Sequence, residues 1–234
     1  MHPTDGDGSP SVEGDVAPLW DCVLDRDDLR SDIVETRDRL ADAARDARWS
    51  EVVALLDGST RPFLTANSVR VGGTSGFTPL HQAAWHGAEP QVVRALLDRG
   101  AWRSVRCTRG RTPADVARDR GHEQVARALE VSDPEAVGDG LLDLETYLAA
   151  LITVRTRPLN KTWRMPQLGP LVEAPTAHFW CSVPGMYGGF GYRWSNPQER
   201  TTLRVESWSR VAGGSGQRHE ITRDGVVLVE EGFV

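Results

Sequence analysis

The sequence predicts an α + β chain: a short helical repeat solenoid followed by a small antiparallel β-meander domain. Two observations predict it. A segment beginning at Gly76 recurs 34 residues later, and each copy leads into an apolar helical stretch. From residue 177 onward the pattern changes to alternating aromatic and β-branched residues broken by turn signals.

The repeat is read by direct alignment. Gly76-Phe77-Thr78-Pro79-Leu80-His81-Gln82-Ala83-Ala84-Trp85-His86-Gly87 matches Gly110-Arg111-Thr112-Pro113-Ala114-Asp115-Val116-Ala117-Arg118-Asp119-Arg120-Gly121. Gly, Thr, Pro, the first Ala and the last Gly recur at a spacing of 34, whereas Val92-Val93-Arg94-Ala95-Leu96 recurs as Val125-Ala126-Arg127-Ala128-Leu129 at 33. The lost residue falls in the turn between the two helices, where a repeat tolerates it. Thr78 and Thr112 cap a first helix, and Pro in the first helical position loses no hydrogen bond. Gly87 ends that helix because its backbone reaches the left-handed region. Val92, Val93, Leu96 and Leu97 form one buried stripe on the second helix.

These residues strongly resemble the ankyrin repeat, through the T-P-L-H-x-A-A-x-x-G core, the V-V-x-x-L-L helix and the Gly100-Ala101 turn. About three repeats are expected over 38–132. The first is degenerate: Leu40-Ala41-Asp42-Ala43-Ala44 and Val52-Val53 match at an offset of 40, without Thr-Pro and with Ala47 in the place of the turn glycine. Terminal repeats are atypical because one face meets solvent. The resemblance implies that His81 is structural, bonding adjacent turns. Asp115 departs from the pattern where the second histidine would stand, and so does Trp102, at a position commonly Asp. Trp102 is either a contact residue at the base of a finger or packed on the following repeat.

The expected organisation is a disordered lead-in over 1–17, rich in Gly, Asp, Ser and Pro. Capping helices, repeats and a closing helix near 141–153 occupy 18–154. A Pro-rich segment over 155–176 is an extended linker or a strap, and an antiparallel β domain of four or five strands fills 177–234. A sheet of some 60 residues is marginal alone, so it is expected to pack on the last helices of the stack. The stretches Val183-Pro184-Gly185-Met186-Tyr187-Gly188-Gly189-Phe190 and Val205-Glu206-Ser207-Trp208 resemble the tails of uncharacterised bacterial ankyrin-type proteins. That resemblance supplies no catalytic residues.

Composition bounds the function. The net charge of −6 divides unevenly: residues 1–60 hold 15 acidic residues against 6 arginines, and the rest is mildly basic. No concentrated basic patch marks a nucleic-acid binder, and no apolar run reaches the ~20 residues needed to span a bilayer. The three cysteines, Cys22, Cys107 and Cys181, are widely spaced without CxxC. They read as buried thiols in a reducing, cytoplasmic setting, with no metal site and no cofactor expected.

The function expected is a non-catalytic protein–protein interaction module with a protein partner. The concave ankyrin face implied by the resemblance offers Gln82, Trp85, His86, Trp102, Arg103, Arg109, Arg111 and Arg118, since Trp and Arg suit desolvated contacts. One alternative is a bacterial biosynthetic enzyme with a small-molecule pocket at the junction of stack and sheet, using His178, Tyr187, Arg204, Glu206, Trp208 and His219. The strand over 201–211 frames that choice. Its Arg204, Glu206, Trp208 and Arg210 face either lines a ligand site or forms cross-strand salt bridges around a half-buried Trp. A Cys–His or metal site would need His178, Cys181 and His219 to converge. Another alternative is an immunity protein or antitoxin whose acidic surface meets a basic toxin.

Overall fold

A computed structural model describes residues 18–58, 64–132, 139–209 and 215–232. Residues 1–17, where the lead-in is expected, and 59–63, 133–138, 210–214 and 233–234 lie outside these residues, and with them the expected place of Arg210.

Three helix pairs stack in order: α1 (Ser31–Arg45) with α2 (Trp49–Asp57), α3 (Pro79–His86) with α4 (Pro90–Leu97), and α5 (Pro113–Asp119) with α6 (Glu123–Ala128). Small side chains let the first helices approach closely. Ala43, Ala44, Ala83, Ala84 and Ala117 are all buried in one continuous core with Leu40, Leu80, Leu96 and Leu129. Both Thr-Pro starts form capping boxes. At α3 the partner is His81, whose Nδ1 lies 3.3 Å from the Thr78 amide. At α5 it is Asp115, whose carboxylate accepts from the Thr112 amide at 3.0 Å. Asp115 thus replaces the histidine at the cap.

The degenerate first pair keeps the same backbone. Ala47 has φ 54° where Gly87 has φ 60°, so an L-residue occupies the left-handed turn that glycine adopts without steric cost. Gly87 itself is also sterically required, because a Cβ there would lie 2.6 Å from His122 Nδ1.

The C-terminal sheet has five antiparallel strands in the order β1 (Phe179–Val183), β2 (Gly188–Trp194), β3 (Leu203–Ser209), β4 (Ser215–Thr222) and β5 (Gly225–Glu231). Its core face carries Phe179, Cys181, Phe190, Tyr192, Trp194, Leu203, Val205 and Ile221. The long helix α7 (Asp139–Thr156) covers that face with Leu141, Leu144, Leu148, Leu151 and Ile152. The helix expected to close the stack therefore shares its core with the sheet.

The sheet also meets the stack at a finger, where the sequence pointed to the last helices. Val105 enters the sheet's core, and Trp102 packs 5.7 Å from Phe179 between ring centroids. The Pro-rich segment is a strap. It includes the short helix α8 (Gly169–Glu173), and Leu168, Leu171 and Val172 are buried. It binds the finger edge-on: the Glu173 carboxylate accepts from the Arg103 and Ser104 amides at 3.2 and 2.8 Å and from Ser104 Oγ at 2.6 Å. The Gln167 amide exchanges two bonds with the Arg106 backbone at 2.7 and 2.9 Å.

The chain's beginning closes one edge of the sheet. Leu19 bridges Trp180 in parallel, with Trp20 N donating to the Trp180 carbonyl at 2.8 Å and Trp180 N to the Pro18 carbonyl at 3.1 Å. Beside this bridge Cys22 and Cys181 form a disulfide, with Cα atoms 6.0 Å apart. The sequence reading of three separate thiols is corrected here, and with it the cysteine argument for a reducing compartment. Spacing along the chain gives no sign of this pair, which folding joins across 159 positions. Cys107 is the buried free thiol. At the opposite edge, β5 leaves Val226, Val227, Leu228 and Val229 exposed.

Two predictions follow from these features. Denatured without reductant, the chain titrates one thiol, and Cys22→Ser with Cys181→Ser lowers stability by up to about 5 kcal/mol for so long a closed loop. Ala47→Gly raises the unfolding free energy by roughly 0.5–1 kcal/mol by relieving the left-handed turn, measured by urea denaturation.

Candidate interaction groove on the repeat face

The finger leading into α3 and the start of the next finger enclose a groove of about 540 Å³. Phe77, Gln82 and Trp85 line it, with Arg45, His86 and Arg109 on its walls. Phe77 is fixed by stacking on His81 at 5.2 Å and by an edge contact with Trp85 at 6.2 Å. Trp85 is 42% exposed. The Arg120 guanidinium covers its ring at 4.2 Å, a cation–π contact that holds the indole upright. His86 Nε2 lies 2.8 Å from the Arg45 carbonyl and so must carry the proton it donates. Adjacent fingers are tied by Thr108, whose amide and hydroxyl donate to the Ser75 carbonyl, both at 3.0 Å.

His81 supports the groove from within the protein. It is fully buried. Its Nδ1 faces the Thr78 amide and hydroxyl, so Nε2 donates to the Arg111 carbonyl at 3.1 Å. Burial lowers its pKa to about 4, against a smaller opposing pull from the Arg111 carbonyl. This is the scaffold role that the resemblance implies.

Of the residues offered for binding, Gln82, Trp85, His86 and Arg109 line the groove together. Trp102 and Arg103 are engaged by the sheet and strap, Arg103 through Glu173 at 3.8 Å. Arg111 pairs with Asp119 at 2.6 Å, and that hydrogen bond raises its pKa. Arg118 pairs with Glu130 at 2.7 Å and Asp115 at 3.3 Å. Phe77, Arg45 and Arg120 were missed. Comparing the two copies would have found Phe77, because Arg111 stands at its aligned position. Trp85 and His86 likewise align with Asp119 and Arg120, and repeats diverge where they face outward.

The residues offered for chemistry divide between the sheet's two faces. Arg204, Glu206 and Trp208 lie on the outer face, and so does His178, whose imidazole crosses Gly191 where a Cβ would meet Nε2 at 2.5 Å. Partial desolvation and then Arg193 lower the His178 pKa. Arg204 pairs with Glu220 at 3.3 Å and Glu206 with Arg218 at 3.0 Å, and the Trp208 ring lies 6.1 Å from Trp180. This is the cross-strand arrangement, with a half-buried Trp. His219 is buried on the core face, and Cys181 is in the disulfide, so His178, Cys181 and His219 do not converge. Among the described residues, no group of three or more His, Cys, Asp and Glu is placed to hold a metal ion. Tyr187 stands apart on the β1–β2 turn, 75% exposed. Among the described residues no helix is long and apolar enough to cross a membrane.

The family model of the ankyrin repeat matches residues 75–107, the stretch that builds most of the groove. The chain is also similar to Squamosa promoter-binding-like protein 1 of Oryza sativa subsp. japonica, at 38% identity over 66 residues. That stretch is 26% of this chain and 8% of the relative, so the chain spans a small part of its length.

The buried imidazole makes stability depend on pH. Unfolded His81 takes up a proton below about pH 6.5, whereas folded His81 stays neutral until about pH 4. The stability it contributes is therefore present above pH 6.5 and falls as pH drops through that window, by up to ~3 kcal/mol. Urea denaturation at pH 7, 5.5 and 4.5 should show the stability gap between the native chain and His81→Asn narrowing as pH falls.

Proposed function

We propose that this chain, an ankyrin-repeat protein by residues 75–107, is a non-catalytic interaction module that holds an acidic, aromatic- or leucine-bearing segment of a partner protein in the groove. The observation that carries this reading is the composition of that one concavity. Phe77 and Trp85 give it an apolar floor, and Arg109 and Arg120 put positive charge around it, while Arg45 on the wall is paired with Asp42 and Asp46 at 2.8 and 3.0 Å. Large aromatic side chains desolvate a partner's anchor at low entropic cost, and arginine forks bind carboxylates in pairs. Arg109 makes no ion pair among the described residues, so its charge is available to a partner. Cationic walls also speed encounter with an acidic partner.

The test is selection of displayed peptides on the full chain. Enriched sequences should combine Asp or Glu with an apolar anchor. Trp85→Ala should weaken a selected peptide about thirtyfold, the size of a 2 kcal/mol hot spot. Arg109→Glu should weaken it further at low salt, and Val227→Thr on β5 should leave it unchanged. Basic or charge-free consensus sequences, or full affinity for Trp85→Ala, would overturn the reading. Trp102→Ala is unsuitable here, because its ring packs against Phe179.

A further inference from the structure

Among the described residues eight large apolar side chains are exposed, and four of them are consecutive on β5: Val226, Val227, Leu228 and Val229. Exposed apolar surface is thus concentrated on an edge strand without a neighbour on its outer side. Pairing with β4 sets the direction of each side chain. Val226 and Leu228 stand opposite Ile221 and His219 on the core side of the sheet, and Val227 stands opposite Glu220 on the other side. Val229 is the extra residue of a bulge, since His219 pairs with Leu228 and Arg218 with Glu230. The regular stretch is therefore Gly225–Leu228, and its outward amides and carbonyls are a template for another strand. No lysine or proline interrupts it. Charge lies only at its ends, with Arg223 in the turn before it and Glu230 and Glu231 after it. Among the described residues Arg223 makes no ion pair.

Helix α7 continues this apolar edge. It lies over β4 and β5 and runs in the direction of β5. Gly140, near its start, lies under the Arg223 guanidinium, and Arg155, near its end, is close to Glu231 and His219. One flank of α7 is fixed to the strap and finger through Glu145, which accepts from the Leu168 amide at 2.7 Å and pairs with Arg106. Nine positions further on, Val154 stands half a turn away from Glu145. It is therefore on the flank toward the free edge, and it is 70% exposed. The half-buried Tyr147 shares that flank, midway between Gly140 and Arg155.

We propose that this edge is an interface with a second copy of the chain, in which two β5 strands pair antiparallel about a two-fold axis at Val227. Val226 of each copy then meets Leu228 of the other, both on the core side, and the two sheets become one. The charges select this direction. Antiparallel pairing brings Arg223 of each copy to the Glu230–Glu231 end of the other, whereas a parallel pair sets like charges side by side. The helices agree with it as well. With strands about 4.8 Å apart, two α7 helices lying between β4 and β5 of their own copies come to about 10 Å, a normal packing distance. Tyr147 then lies near the axis, and Val154 is covered. Residues 18–20 occupy the β1 edge, so assembly through β5 closes at two copies. The interface shares no residue with the groove on the repeat face and stands or falls independently of it.

The test is sedimentation equilibrium of the full chain from about 1 to 500 μM, which should show a closed monomer–dimer equilibrium. Val227→Lys, at a side chain 64% exposed, should keep the native near-UV circular dichroism and remain a monomer throughout. Val154→Lys should weaken the dimer about tenfold, and Trp85→Ala should leave it unchanged. Arg223→Glu and Glu231→Arg should each weaken it severalfold, and the two together should restore it. A native chain that stays monomeric to the top of this range, a dimer indifferent to Val227→Lys, assemblies that keep growing with concentration, or a double variant no tighter than the single ones would each overturn the proposal.

Discussion

The joint between strap and finger is the interaction on which the rest of the structure depends. One carboxylate, Glu173, accepts from two backbone amides and a hydroxyl of the finger at 103–104. Gln167 and Glu145 continue the seam through the Arg106 backbone and the Leu168 amide. Hydrogen bonds to a charged acceptor contribute about 1.5–3 kcal/mol each, and here they satisfy backbone groups that a finger otherwise leaves to water. The seam brings Val105 and Trp102 onto the sheet, so the finger shares the sheet's apolar core while the repeat helices keep their own.

Local rules were legible in the sequence where geometry is local. Thr78 and Thr112 start helices, Gly87 ends one, and the alternation through Leu203, Val205 and Ser207 identifies the core face of β3. The opposite face, open in the sequence between a ligand lining and cross-strand salt bridges, resolves into the latter through Arg204–Glu220 and Arg218–Glu206. The resemblance to the ankyrin repeat is also sound where the motif is dense, over 75–107.

What the sequence hid depends on distance along the chain. Cys22 and Cys181 are neighbours only after the first and last parts of the chain meet. Trp102 reads either as a contact residue or as packed on the following repeat, because its partner, Phe179, belongs to a distant element. Helix α7 reads as a lid on the stack because an apolar helical stripe does not say which surface it covers. Half of the residues proposed for binding line one groove: Gln82, Trp85 and His86 lie on α3, and Arg109 on the next finger. The others were drawn off by ion pairs and by the strap, which spacing alone does not reveal.

The two edges of the sheet are unequal. One is occupied by the chain's own residues 18–20 and held there by a covalent bond. The other presents β5, apolar on both faces and without a neighbouring strand among the described residues. Among the described residues, growth of this sheet is therefore directional: a further strand finds a full-length edge beside β5. Truncation at the start of the chain would remove that direction, turning a sheet with one free side into a sheet with two.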